Sequence, residues 1–124
     1  MVPKEKIILI VEDDTDSRQA LTTMVESLGY QTMACASGKE ALVGIKTCKV
    51  HLALLDIMMP EMDGYELLTE IKKIPEYLSL PIIMVTAKDQ DTEIIDGYRF
   101  GADYYIPKPF TTKQLEYGIR LFLP

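Results

Sequence analysis

The residues with the most chemistry to offer lie just beyond the ends of four apolar runs. Glu12-Asp13-Asp14 follows Ile7-Ile8-Leu9-Ile10-Val11, and Asp56 follows His51-Leu52-Ala53-Leu54-Leu55. Thr86-Ala87 follows Pro81-Ile82-Ile83-Met84-Val85, and Lys108-Pro109 comes just after Tyr104-Tyr105-Ile106. If these runs are neighbouring parallel strands, Glu12, Asp13 and Asp56 crowd carboxylates together, which raises their pKa values or demands a cation. All the donors are hard oxygens, a set that suits Mg²⁺ or Mn²⁺ rather than zinc or copper. Thr86 offers a hydroxyl and Lys108 a compact positive charge, together a cradle for an anion. A carboxylate beside such a cation, a hydroxyl and an ammonium is equipped to attack phosphorus, and Asp56, closing the central run, is the nucleophile candidate.

Taken singly, each residue has a bland reading. Asp13 or Asp14 would serve to cap a helix, Thr86 a turn, and Lys108 would be a solvated charge. Their joint occurrence carries the argument. Asp63 is assigned to a helix cap, and Asp14, Asp16, Asp89, Asp91 and Asp96 to solvated faces and loops. Met58, Met59 and Met62 are expected to pack, as are Cys35 and Cys48, whose spacing matches no zinc or redox motif. His51, the lone histidine, reads as structural.

Elements must bring these positions together. The runs at 7–11, 51–55 and 81–85 are continuously apolar, as strands buried on both faces are. Tyr30 to Cys35 alternates more and reads as an edge strand. Between the strands lie helical segments. The first carries Ala20, Leu21, Met24, Val25 and Leu28 on one face and stops at Gly29. The second is capped by Ser37 with Glu40 reaching back, and the third by Asp63 ahead of Leu67, Leu68 and Ile71. A fourth runs from Glu93 to Phe100, and a fifth follows the Thr111-Thr112-Lys113-Gln114 box through Leu115, Ile119 and Phe122. Strict alternation implies right-handed crossovers, an α/β class and a doubly wound parallel sheet with its ligand site beyond the strands' carboxyl ends.

At 124 residues, with 48% hydrophobic and 26% charged, the chain is expected to be one domain, its core at about 7–121. A net charge of −6 argues against direct nucleic-acid binding, which relies on Lys and Arg neutralising phosphates. No apolar run nears the roughly 20 residues of a membrane span. With no signal peptide ahead of the first run, a cytoplasmic location is expected. The chain stops just after the fifth helical segment, so a stand-alone protein and a piece of a longer one both stay open.

With these motifs in order, the chain resembles the receiver domain of two-component response regulators from Ile7 to about Leu121. The resemblance rests on Ile8 to Asp14, Asp56 to Gly64, Pro81 to Ala87 and Gly101 to Phe110. It implies a five-stranded, flavodoxin-like (CheY-like) sheet of order 2-1-3-4-5, a sheet order the residues alone do not supply. It also implies phosphorylation of Asp56 by a partner histidine kinase or phosphotransfer protein. Asp13 is then a direct Mg²⁺ ligand, Glu12 a water-mediated one and the Met58 backbone carbonyl a third, while Thr86 and Lys108 bind the phosphate. In the implied switch Thr86 moves onto the phosphate and Tyr105 turns inward, with Tyr104 on the opposite side of the sheet. The responsive face is the fourth helical segment, fifth strand and fifth helical segment, with transient homodimerisation through it as a further expectation. A cis Lys108-Pro109 bond is implied as well. The side chains of Met58 and Lys88, flanking the attack path, are expected to lengthen the life of the phosphorylated state.

Three rival readings make different demands. A phosphatase with an aspartate nucleophile needs an acid two residues on, where Met58 stands. A flavin module needs a loop after the first strand that welcomes phosphate, and this one is acidic. A phosphorylation-independent docking scaffold has no need of the acidic pair or Lys108. The chain is therefore expected to act on itself, not as a turnover enzyme.

Overall fold

In a computed structural model, residues 5–87 and 101–124 are described, Thr86 and Ala87 through their backbone. The fourth helical segment expected at Glu93 to Phe100, together with Lys88, Asp89, Asp91 and Asp96, lies outside the described residues. The elements run β1 (Ile7–Val11), α1 (Thr15–Ser27), β2 (Gln31–Cys35), α2 (Gly38–Thr47), β3 (Leu52–Asp56) and α3 (Gly64–Lys72). A 3₁₀ turn (Pro75–Tyr77), β4 (Ile82–Ala87), β5 (Tyr104–Lys108) and α4 (Thr112–Phe122) complete them, α4 being the fifth helical segment of the sequence. The strands form one five-stranded sheet ordered β2-β1-β3-β4-β5, with every neighbouring pair parallel.

Alternation along the strands divides the core in two. Leu9, Val11, Ala53, Leu55 and Met84 face α2 and α3, meeting Ala41, Ile45, Leu67, Leu68 and Ile71. Ile8, Ile10, Leu52, Leu54, Ile83 and Val85 face α1 and α4, meeting Leu21, Val25, Leu115 and Ile119. Each fully buried Leu or Ile contributes about 1.5–3 kcal/mol, so the unbroken burial of β3 anchors the strand that ends in Asp56. β2, at the edge, is half exposed, in line with its alternating sequence.

Three strands run further than their apolar runs. Asp56, Thr86-Ala87 and Lys108 are strand residues, not residues beyond a strand. Backbone pairing does not depend on side-chain polarity, so the ladder continues until a neighbour is lost. Caps mark the helix starts: Ser37 accepts from the Glu40 N–H, and the Asp63/Glu66 and Thr111/Gln114 boxes close on both sides. Glu40 reaches one residue further back than expected, to the Ala36 N–H. Asp14, assigned to a solvated face yet one of two candidates for this cap, caps α1 by accepting from the Ser17 N–H at 2.8 Å. Gly29, at φ 100, takes the chain out of α1 in a conformation other residues avoid. Among the described residues, no helix is long and apolar enough to cross a membrane.

Candidate functional site

The parallel register brings the carboxyl ends of the central strands to one edge of the sheet. Val11 lies beside Leu55, Asp56 beside Val85, and Ala87 beside Lys108. Glu12 and Asp56 are buried, at 3% and 8% exposure, the only charged side chains so buried among the described residues. Asp13 is exposed. One carboxylate oxygen from each of Glu12, Asp13 and Asp56 lies within 4.8 Å of the others. Lys108 bridges Glu12 and Asp56 from β5, its Nζ donating to Glu12 Oε1 at 2.8 Å and standing 3.8 Å from Asp56 Oδ1. The second Glu12 oxygen accepts from the Asp14 N–H at 3.1 Å.

Such crowding shows in the ionisation. Burial, and then the neighbouring Glu12 carboxylate, push the Asp56 carboxyl up to about 6, against the pull of Lys108 and a hydrogen bond from the Met58 N–H. For Lys108, burial pulls the ammonium down, but its hydrogen bond to Glu12 and the charges of Asp56, Glu12 and Asp13 outweigh it, leaving the pKa above the usual lysine value. Asp14 is held below the usual carboxylate range by the Ser17 N–H it caps. One ammonium against three carboxylates leaves the cluster net negative. An all-oxygen donor set with no thiolate or imidazole fits a small hard divalent cation such as Mg²⁺.

Arg18, which sequence reasoning passed over, holds the acidic loop from α1. Its Nη1 donates to the backbone carbonyls of Glu12 at 2.9 Å and Asp13 at 3.3 Å. The available hint was its place in the first turn of the helix that leaves the loop, where a long side chain reaches back.

The loop from Asp56 to α3 is drawn tight against the strand. Glu61 sits at φ 67, a conformation that favours glycine, and strain of this kind concentrates at functional loops. The Gly64 N–H donates to the Ile57 carbonyl at 3.0 Å. A Cβ at Gly64 would stand 2.5 Å from the Asp56 carbonyl oxygen, so any side chain at the first residue of α3 forces the backbone to shift. Met59 and Met62 pack against the core as expected. Met58 does not: it is 61% exposed, because the turn out of β3 aims its side chain away from the sheet.

Tyr105 is buried, and its hydroxyl lies 3.0 Å from that of Tyr65 on α3, a contact with no signal in the sequence. Tyr104 is on the other face, its ring 6.4 Å from that of Tyr117. Thr86 stands one residue beyond the register partner of Asp56, opposite Pro107. The Lys108–Pro109 bond is cis. Beside the cluster, a cavity of about 490 Å³ opens between Ala20, Leu21 and Met24 of α1 and Pro109 and Phe110, with Glu12 and Lys108 in its wall. His51 is structural in position: its Nδ1 accepts from the Ile7 N–H at 3.1 Å and ties the start of β3 to β1. Cys35 and Cys48 are free thiols.

Residues 8–120 match the family profile of the response regulator receiver domain. The chain belongs to that family. As a receiver domain it is 42% identical over 120 residues to a probable transcriptional regulator, ycf27, of Porphyridium aerugineum, covering 97% of this chain and 48% of that protein. It spans about half the length of the curated relatives it matches. A putative response regulator from Chloroflexus aurantiacus superposes with a TM-score of 0.91 at 33% identity, covering 95% of this receiver domain and 97% of the other chain. The receiver domain of a sensor histidine kinase from Pseudomonas aeruginosa, solved with a magnesium ion coordinated in its active site cleft, superposes with a TM-score of 0.87 at 27% identity. It covers 95% of this chain and 97% of that one. This receiver domain is thus a two-component signalling module.

Proposed function

We propose that this receiver domain is a switch set by phosphorylation of Asp56. The observation that carries the reading is a nearly buried carboxylate at the end of the central strand, 3.8 Å from a lysine ammonium and grouped with two further carboxylates. An Asp56 oxygen attacks the phosphorus of a phosphohistidine on a histidine kinase or phosphotransfer protein. The P–O bond forms as the P–N bond breaks, and the imidazole leaves with the electron pair. With its pKa near 6, Asp56 is largely ionised, and so nucleophilic, at neutral pH. Lys108 stabilises charge on the transferred phosphoryl oxygens. Asp13, Asp56 and the Met58 backbone carbonyl would hold Mg²⁺, with Glu12 contributing through water. The ion would offset the crowded carboxylates and the phosphoryl charge. The cavity beside α1 would give an approaching partner apolar surface next to Glu12 and Lys108.

The phosphoryl group is lost when water attacks phosphorus and returns the carboxylate, so the chain acts on itself and turns over no external substrate. The backbone register of Thr86 supports a role in binding phosphate, and the burial of Tyr105 supports its place as the aromatic partner in the switch. The face of β5 and α4 then carries the output, homodimerisation included. In a longer protein like the transcriptional regulators it resembles, DNA would be bound by another domain.

Incubation with Mg²⁺ and acetyl phosphate, followed by intact-mass measurement, tests this reading. A phosphate adduct is expected on the wild type and not on Asp56→Ala. Absence of an adduct on either protein, with Mg²⁺ bound, would favour a docking scaffold instead.

A further inference from the structure

We infer that the first turn of α3 is a second coupling element of the switch, in which Tyr65 holds Tyr105 in its buried position and ties that position to the backbone of the phosphoacceptor loop. This rests on the reading of Asp56 as phosphoacceptor and Tyr105 as the responsive aromatic. Three observations join into one path. The Gly64 N–H is bonded to the Ile57 carbonyl at 3.0 Å. The Gly64 Cα lies so close to the Asp56 carbonyl that a Cβ there would stand 2.5 Å from its oxygen. Tyr65, the next residue, packs against the core cluster that contains Tyr105 and places its hydroxyl 3.0 Å from the Tyr105 hydroxyl.

Rigidity makes the path transmit. The start of α3 is closed by the Asp63/Glu66 box, so Gly64 and Tyr65 move with the helix end as a unit. There is no slack between that unit and the Asp56–Ile57 backbone, and packed contacts of this kind respond by shifting together. A rearrangement at Asp56 therefore reaches β5 through α3 as well as through β4. By reciprocity, whatever Tyr65 adds to the buried state of Tyr105 it adds to binding of the phosphoryl group that favours that state. Tyr65 is a positioning residue, since it acts on the phosphoryl group only through Tyr105 and the Asp56–Ile57 backbone.

The test is a double-mutant cycle on the whole chain with Tyr65→Phe, Tyr105→Phe and the double variant. Beryllium fluoride in saturating Mg²⁺ serves as the phosphoryl mimic, and binding is read by calorimetry. Loss of one hydrogen bond predicts binding weakened about threefold to tenfold in each single variant. The double variant should be weakened by less than the product of the two single effects, and the affinity for Mg²⁺ alone should be unchanged. A merely structural tyrosine would lower unfolding stability and leave beryllium fluoride affinity as in the wild type, which would overturn the inference. So would effects that multiply in the double variant. If the wild type binds Mg²⁺ but not beryllium fluoride, the phosphoacceptor reading itself falls, and this inference with it.

Discussion

Replacing Asp56 by Asn asks whether the site is held together against its own charge. Burial, with Glu12 next, raises the Asp56 carboxyl from 3.8 to about 6 in the folded chain. Since the folded value lies above the unfolded one, the stabilising contribution of this group is complete below about 3.8 and is lost as pH rises through about 6. A shift of about two units, at about 1.36 kcal/mol each, amounts to about 3 kcal/mol. That is the most Asp56→Asn can restore at pH 8 without metal, the 3.8 Å Lys108 contact being already counted in the shift. Urea denaturation in chelator should therefore find the variant about 1–3 kcal/mol more stable than the wild type at pH 8. At pH 4, where the wild-type carboxyl is already protonated in the folded state, the two should agree within about 0.5 kcal/mol. Comparing the two pH values cancels any packing difference between Asp and Asn. Added Mg²⁺ should then stabilise the wild type and leave the variant nearly unchanged. A stability difference independent of pH, or a variant less stable than the wild type at pH 8, would show that the Asp56 charge is not held at a cost.

Further outcomes follow from single contacts. Gly64→Ala puts a Cβ 2.5 Å from the Asp56 carbonyl oxygen, so about 1–3 kcal/mol of stability should be lost and phosphorylation by acetyl phosphate slowed; wild-type behaviour in both would show that α3 can retreat freely. Met58→Asn, at an exposed position beside the nucleophile, should shorten the life of the phosphorylated state, measured by loss of the mass adduct, and a slower loss would contradict the steric account. Burial depresses the His51 pKa below 6.5 while its Nδ1 accepts from Ile7, so its contribution is present above pH 6.5 and is lost as pH falls below that value. Stability of the wild type should then fall more steeply below pH 6.5 than that of His51→Gln, and parallel curves would show that His51 stays unlinked to folding.

Much of the site was legible because the central strands are read by hydrophobicity alone. The apolar runs located Glu12, Asp56 and Lys108 at strand ends, and the Ser37, Asp63 and Thr111 boxes located three helix starts. Strand order was not legible from the runs: β1 pairs with residues more than 40 positions away, and nothing in its Ile and Leu side chains names that partner. The family resemblance supplied the order. Tertiary contacts were hidden for the same reason. The Tyr65–Tyr105 pair spans 40 positions, and the fit of Gly64 against Asp56 depends on how α3 docks. Arg18 and Asp14 are different, since both act locally, through a helix cap and a reach back to the preceding loop. For Asp14, competition among adjacent acids left the cap ambiguous. Met58 misled because methionine composition says packing, whereas the turn after β3 aims this one outward.

The most direct test of the central claim is to locate the phosphoryl group chemically. Borohydride reduces an acyl phosphate to an alcohol and spares free carboxylates. Treatment of the protein after exposure to acetyl phosphate and Mg²⁺, followed by peptide mass spectrometry, should convert Asp56 to homoserine and leave Glu12, Asp13 and Asp63 intact. Conversion at another carboxylate with Asp56 untouched would mean that Asp56 is not the phosphoacceptor.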